Sequence, residues 1–93
     1  GVIQMKIEIY SKPACPFCDK ALFLAQQVCD KSEQGFHTYD KYMLDVDFTR
    51  EELFEQFPTA RTFPQIRIRE TENTWTYIGG YTEFEAFIKE NKY

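Results

Sequence analysis

The sequence predicts an α/β domain in which a four-stranded mixed sheet is flanked by three helices, in the order βαβαββα. Two observations carry this prediction. Four short segments have strand-like patterns, whereas three others repeat apolar residues with helical spacing or carry helix-start signals. The early β-α-β order implies a parallel strand pair, and the last two strands follow closely enough to pair as an antiparallel hairpin. The length of 93 residues fits one domain, spanning 1–93, and a 43% hydrophobic composition suffices for its core.

The first strand and the first helix have the clearest periodicity. Over residues 5–10 the apolar positions Met5, Ile7 and Ile9 alternate with the others, which is typical of a strand. A helix is expected from Pro16, because proline suits the first turn, and to end within residues 31–35. Its predicted buried face repeats at i, i+4, i+7 and i+11 and consists of Cys18, Leu22, Ala25 and Cys29.

The remaining elements are shorter and are bounded by caps and turns. A second strand is predicted over residues 42–46, and a short helix from Thr49 to about Phe57, because Thr49 and Glu52 have capping-box spacing. Strands are predicted over 64–69 and 75–78, joined by a hairpin turn at 71–73. The pair Gly79-Gly80 ends the last strand, and Thr82 opens the final helix as a second capping-box residue.

Composition excludes several classes of function. The net charge of −4 argues against a general nucleic-acid binder, which needs a basic surface. No apolar run approaches the ~18 residues of a membrane span, and we expect no apolar secretory leader. The odd count of three cysteines fits a reducing compartment, so we expect a cytoplasmic protein. Residues 1–4 precede Met5, a plausible native start, and are either a remnant of expression or a short native extension.

The stretch Cys15-Pro16-Phe17-Cys18 places two thiols one helical turn apart. That spacing lets the sulfurs alternate between dithiol and disulfide. The start of a helix favours negative charge, which lowers the pKa of the first cysteine, and Lys12 and Lys20 act in the same direction. The thiolate is the form that attacks disulfides. Two core cysteines or half of a zinc site are the alternative interpretations.

A zinc site is disfavoured by distance. Only Cys29 and His37 could complete a four-ligand set with the cysteine pair. Cys15 and Cys29 are separated by fourteen residues of predicted helix, or about 21 Å at ~1.5 Å per residue. Zinc–sulfur bonds of about 2.3 Å cannot span that distance. We therefore expect no metal site.

Three patches together resemble the classical dithiol glutaredoxins, within the thioredoxin fold. They are Lys12 to Cys18 (K-P-A-C-P-F-C), Thr62 to Ile66 (T-F-P-Q-I) and Gly79 to Phe84 (G-G-Y-T-E-F). Their order and spacing match the family, and the resemblance covers nearly all of residues 5–93. A lone C-x-x-C is a weak signal, but the combination is specific.

The resemblance implies a role for each patch. Cys15 is the exposed nucleophile, and Cys18 is the buried resolving thiol. Pro64 is cis and faces the cysteine pair, so that the backbone of Phe63 can pair with the cysteinyl unit of glutathione. The start of the last helix receives the γ-glutamyl end of glutathione. The glutathione-binding residues implied in this way are Lys12, Phe17, Arg61, Thr62, Phe63, Pro64, Gly80, Tyr81, Thr82 and Glu83.

Three positions depart from the family. Phe17 stands where tyrosine is usual and loses the hydroxyl, while Phe63 replaces a common valine and adds bulk to the groove. Glu83 is one methylene longer than the usual aspartate. Ordinary helix capping at Thr82 and Glu83, and solvated surface charge at Lys12 and Arg61, are the simpler interpretations of those residues.

The resemblance implies a glutathione-dependent disulfide oxidoreductase that reduces protein disulfides and glutathionylated mixed disulfides. Glutathione would be a co-substrate, with no tightly bound cofactor. The expected partners are client proteins, among which ribonucleotide reductase is common for similar proteins, and the expected state is a monomer. Two alternatives stay open: reduction by thioredoxin reductase, and a non-catalytic module holding metal or an iron–sulfur cluster. Cys29 is expected in the core or as a regulatory thiol, and His37 has no assigned role.

Overall fold

The structure, a computed structural model, describes residues 3–33, 35–71 and 74–93. Seven elements follow one another in the predicted βαβαββα order. They are β1 (Met5–Ser11), α1 (Pro16–Lys31), β2 (Thr38–Met43), α2 (Arg50–Gln56), β3 (Gln65–Glu70), β4 (Thr76–Gly79) and α3 (Tyr81–Glu90).

The four strands form one mixed sheet in the order β2-β1-β3-β4. β1 runs parallel to β2 and antiparallel to β3, and β3 pairs antiparallel with β4. This topology confirms the predicted thioredoxin-like fold, with its parallel β-α-β unit and its late antiparallel hairpin.

The main core lies between the sheet and the helices α1 and α3. The predicted alternation of β1 is confirmed, because Met5, Ile7 and Ile9 are fully buried in this core. Full burial of such side chains contributes about 1.5–3 kcal/mol each. Their partners from the other elements are Ala21, Ala25, Val28, Ile66, Ile68, Phe84 and Ile88.

A second core joins α2 and its flanking loops to the opposite face of the sheet. Tyr10 of β1 packs there edge-on against Phe48 and Phe57, with ring centroids 5.2 and 5.3 Å away. Leu44, Leu53 and Ala60 complete this core, described here as the α2 core. Helices therefore cover both faces of the sheet, as predicted. The capping box of α2 is confirmed, because Thr49 and Glu52 exchange side chain-to-backbone hydrogen bonds.

The predicted position of β2 is wrong. The strand ends at Met43 rather than extending from 42 to 46, and residues beyond it turn toward α2. Asp45 has a positive φ of 64°, and Val46 is 78% exposed. β2 is an edge strand whose residues are half-buried or exposed on both faces, so its sequence does not alternate between apolar and polar residues. The alternation that suggested a strand over residues 42–46 continues into the loop after β2.

Two further expectations need correction on the helices. Val28 occupies the buried face of α1, while Cys29 is only half-buried and is not a core residue. The helix α3 begins at Tyr81 with Gly80 as its N-cap, so Thr82 is not the cap.

The bounds of β1, β3 and β4 each differ by one residue from the predicted ones. The predicted hairpin turn includes Glu72 and Asn73, which lie outside the described residues.

Among the residues that the structure describes, no helix is long and apolar enough to cross a membrane.

Candidate active site

Sheet topology brings the three patches to one edge. β1 ends next to the start of β3, where Tyr10 pairs with Gln65, and β4 ends next to the same point, where Gly79 pairs with Ile66. The segments that leave or enter these strand ends carry the cysteine pair, the Phe63-Pro64 bond and the start of α3. Segments far apart in sequence therefore meet at one end of the molecule.

The two cysteines lie at the start of α1 and are joined in a disulfide, with Cα atoms 5.2 Å apart. Cys15 is the N-cap of this helix, and the backbone N–H of Cys18 donates a hydrogen bond to Cys15 Sγ at 3.2 Å. The same N–H would stabilise a thiolate on Cys15 after reduction, because a donor pointing at the sulfur favours its charged form.

The expected difference in exposure between the two cysteines is not found in this oxidised pair. Cys15 is 7% exposed and Cys18 is 4% exposed. They differ instead in what they border. Cys15 lines the groove described below, whereas Cys18 is not part of its lining.

The groove beside Cys15 has two halves. The first half, here called the cysteine half, encloses about 370 Å³. It is lined by Lys12, Ala14, Cys15, Pro16, Phe17, Arg50, Arg61, Thr62 and Phe63. Its charged side chains are all cations, so it suits an anionic group near the reactive sulfur.

The second half, here called the α3 half, encloses about 330 Å³ and shares Phe17, Thr62 and Phe63 with the first. Its other lining residues are Pro64, Gly80, Tyr81, Thr82 and Glu83. All the residues that the sequence assigned to glutathione thus line one half or the other. The Phe63–Pro64 peptide bond is cis, as the resemblance implies.

Aromatic rings form the walls of the groove. Phe17 is 54% exposed, and its ring centroid lies 6.3 Å from that of Tyr81 across the α3 half. Lys20 Nζ lies 5.2 Å from the centroid of Phe17. The ring centroid of Phe63 lies 6.3 Å from that of Phe48 in the α2 core. The Phe63 side chain therefore packs against the α2 core and also lines the groove.

The start of α3 is shaped by Glu83. Its carboxylate accepts a hydrogen bond from the backbone N–H of Gly80 at 2.8 Å. Gly79 has a φ of +116°, and a Cβ there would lie 3.0 Å from the Glu83 carboxylate. The positive φ favours glycine at position 79, and a larger residue would also displace the Glu83 side chain. The sequence predicted a capping role or a ligand role for Glu83, and the capping contact is present.

Two contributors to the groove were missed by sequence reasoning. Arg50, the first residue of α2, lines the cysteine half, and no local motif marks it. Gln65 is 3% exposed and donates from Nε2 to the carbonyl of Thr62 at 2.6 Å, while accepting from the Tyr77 hydroxyl at 2.5 Å. Gln65 therefore positions the loop that precedes Pro64.

The third cysteine lies in an environment that disfavours its thiolate form. Burial, and secondarily the charge of Asp30, raise the pKa of Cys29 to about 11. Within residues 3–33, 35–71 and 74–93, no group of three or more His, Cys, Asp or Glu side chains could hold a metal ion.

A disulfide-forming cysteine pair at a helix start, bordered by a groove at the end of a thioredoxin-like sheet, defines a thiol–disulfide oxidoreductase. Comparisons with known proteins agree. The family model described as Glutaredoxin matches residues 7–72. Glutaredoxin 1 of Escherichia coli K12 is 30% identical over 88 residues, covering 94% of this chain and 96% of that protein. Glutaredoxin of Haemophilus influenzae is 34% identical over 88 residues, covering 92% and 93%.

The solved structures lead to the same family. The structure of reduced Escherichia coli glutaredoxin superposes with a TM-score of 0.72 at 28% identity, covering 94% of this chain and 96% of that one. The chain belongs to the glutaredoxin family, and its activity is thiol–disulfide exchange through Cys15 and Cys18.

Proposed function

We propose that this protein uses glutathione to reduce protein disulfides and glutathionylated cysteines. One observation carries the proposal: Cys15 borders a groove that has only cations among its charged residues at one end and Glu83 with the start of α3 at the other. Glutathione has a matching distribution of charge. Its glycine end carries a carboxylate, and its γ-glutamyl end carries an amino group and a second carboxylate.

Each end of glutathione would have a partner in this arrangement. Lys12 and Arg61 line the cysteine half and would attract the glycine carboxylate. The free N–H groups at the start of α3 favour the γ-glutamyl carboxylate, and Glu83 favours the amino group. Between the ends, the backbone of Phe63 would pair with the cysteinyl unit, and the exposed ring of Phe17 would cover it.

The dithiol reaction begins with the thiolate of Cys15. It attacks one sulfur of a client disulfide, forming a mixed disulfide and releasing the other client sulfur as a thiolate, which takes up a proton. Cys18 then loses its proton and attacks the Cys15 sulfur, so the second client thiol leaves and the Cys15–Cys18 disulfide forms. The client gains two electrons and the cysteine pair loses them.

Glutathione regenerates the dithiol in two exchanges. One glutathione thiolate attacks Cys15, forming a Cys15–glutathione disulfide and releasing Cys18 as a thiol. A second glutathione attacks the glutathione sulfur of that adduct, releasing Cys15 and forming glutathione disulfide. A glutathionylated client needs Cys15 alone, because Cys15 takes the glutathionyl group directly and the second glutathione removes it.

The clients would be proteins of a reducing compartment such as the cytoplasm, since the cysteine pair must be returned to its dithiol form after every turnover. Ribonucleotide reductase is one client that this proposal admits. A monomer suffices for the reaction, because every residue assigned to it comes from one chain.

A glutathione-coupled assay on a small mixed disulfide of glutathione tests the proposal. The wild-type protein should turn over with glutathione, glutathione reductase and NADPH, and Cys15→Ser should abolish that turnover. Cys18→Ser should keep it while losing the reduction of a protein disulfide. Turnover with thioredoxin reductase in place of glutathione, or full activity in Cys15→Ser, would contradict the proposal.

A further inference from the structure

Positive charge is concentrated at the reactive end of an acidic chain. The protein has 11 lysine and arginine residues against 15 aspartate and glutamate residues. Three of those cations, Lys12, Arg50 and Arg61, line the cysteine half of the groove. In the part of the chain that the structure describes, no acidic side chain lines this half. The local field beside Cys15 is therefore opposite in sign to the net charge.

Among the residues that the structure describes, these cations form no ion pair. In the described ranges the ion pairs are Arg67 with Glu8 and Lys89 with Glu85. Lys12, Arg50 and Arg61 belong to neither pair, and all three are exposed. Unpaired, clustered cations beside a reactive sulfur attract an anionic partner and raise its encounter rate.

The position of Arg50 is not explained by the stability of α2. A cation at the first residue of a helix opposes the helix dipole, which favours acidic residues there. The Arg50 guanidinium instead lies 5.9 Å from the centroid of Phe63, over the wall of the groove. Contact with the ring holds the charge near Cys15 while leaving its N–H groups available.

One glutathione molecule would not neutralise all three cations of the cysteine half. Its glycine end brings one carboxylate to the cysteine half, where three cations lie. We propose that the remaining charge selects client proteins whose oxidised cysteine is flanked by aspartate or glutamate, and that Arg50 is a specificity-determining residue for them. This inference rests on the proposed reaction of Cys15 with glutathionylated clients.

The test compares two synthetic peptides glutathionylated on a single cysteine. One peptide has glutamates on both sides of that cysteine, and the other has glutamines at the same positions. At low ionic strength, wild-type protein should have a kcat/KM at least about threefold higher for the acidic peptide. Addition of about 0.5 M salt should bring the two values together, because it screens charges a few ångströms apart.

Substitutions show which residue causes the preference for the acidic peptide. Arg50→Gln should lower the ratio of the two kcat/KM values at least about twofold, since it removes one of the three cations. Arg50→Lys should preserve the ratio. The matched control is Lys6→Gln, which makes the same change in net charge at an exposed residue near the opposite end of β1 and should leave the ratio at its wild-type value.

Equal rates for the two peptides in wild-type protein would overturn the inference and leave the proposed function intact. A preference that Arg50→Gln and Lys6→Gln lower equally would also overturn it, since net charge rather than the groove would then be responsible. If neither peptide nor the small mixed disulfide turns over with glutathione, the proposed function itself is wrong. If Arg50→Gln fails to fold, Arg50→Glu replaces it, because the start of a helix favours an acidic residue. That variant should lower the ratio of the two kcat/KM values more than twofold, and an unchanged ratio would overturn the assignment of Arg50.

Discussion

Glu83 joins a structural task and a proposed binding task in one carboxylate. It accepts from the Gly80 N–H at 2.8 Å, which fixes the start of α3, and it lines the α3 half of the groove. The backbone contact needs only an acceptor oxygen, whereas attraction of the γ-glutamyl amino group needs negative charge. The two tasks can therefore be separated by substitution.

We predict that Glu83→Gln raises the KM for glutathione about two- to fivefold, because an exposed ion pair of this kind contributes up to about 1 kcal/mol. The urea midpoint should stay near that of the wild type, since the amide oxygen can still accept from Gly80. Glu83→Ala should raise KM similarly and also destabilise the protein by about 0.5–1 kcal/mol. An unchanged KM in Glu83→Gln would assign Glu83 to capping alone.

Phe17 shows how a single departure from the family is tolerated. Its ring stays exposed beside Cys15 and lies opposite Tyr81 across the α3 half. A covering role for the ring needs its face and not a hydroxyl group. Phenylalanine at this position is thus compatible with the proposed binding of glutathione.

Among the elements, β1 and the segment before β2 are linked by the only histidine of the chain. The Met5 backbone N–H, at the start of β1, donates to His37 Nδ1 at 2.9 Å. His37 is half-buried between Phe36 and Tyr93, with ring centroids at 5.0 and 5.5 Å. Burial lowers the pKa of His37 from its ordinary value of 6.5. Sequence reasoning gave this histidine no role.

Because the folded state lowers the pKa of His37, protonation favours the unfolded chain. The contribution of the neutral ring to stability should be present above about pH 6.5 and lost as pH falls from there through the lower folded pKa. Urea unfolding of the wild type should therefore give a lower free energy of unfolding near pH 5.5 than near pH 7.5. His37→Gln should remove most of that difference, because Gln does not titrate. An equally steep dependence in His37→Gln would show that other groups cause it.

At the scale of the whole molecule, sheet topology turns three local motifs into one site. The ends of β1 and β4 and the start of β3 meet at one edge because β3 runs antiparallel to both of its neighbours. The sequence predicted the motifs and this fold because each rests on local signals: a cap, a C-x-x-C spacing, an alternating strand. Cys15 was identified from its C-x-x-C spacing at a helix start, whereas Phe63 and Glu83 were assigned from the resemblance that the motifs carry.

Features that depend on tertiary contacts could not be predicted from the sequence. Arg50 reaches the groove only because the loop after β2 returns α2 to the end of the sheet, and nothing local marks that contact. The bounds of β2 were misplaced because an edge strand lacks a buried face to set its pattern. Cys29 lies at the margin of the buried face of α1 and is only half-buried. The neighbouring Val28 fills the core in its place.

The reactivity of the three thiols shows whether Cys15 is the nucleophile. The Cys18→Ser variant should be incubated with glutathione disulfide near neutral pH, and its peptides mapped by mass spectrometry. We predict one glutathione on Cys15, removed by reduced glutathione, and none on Cys29, whose pKa is about 11. The matched control, Cys15→Ser with Cys18→Ser, should take up none. Glutathione attached to Cys29 while Cys15 stays free would contradict the assignment of Cys15 as the nucleophile.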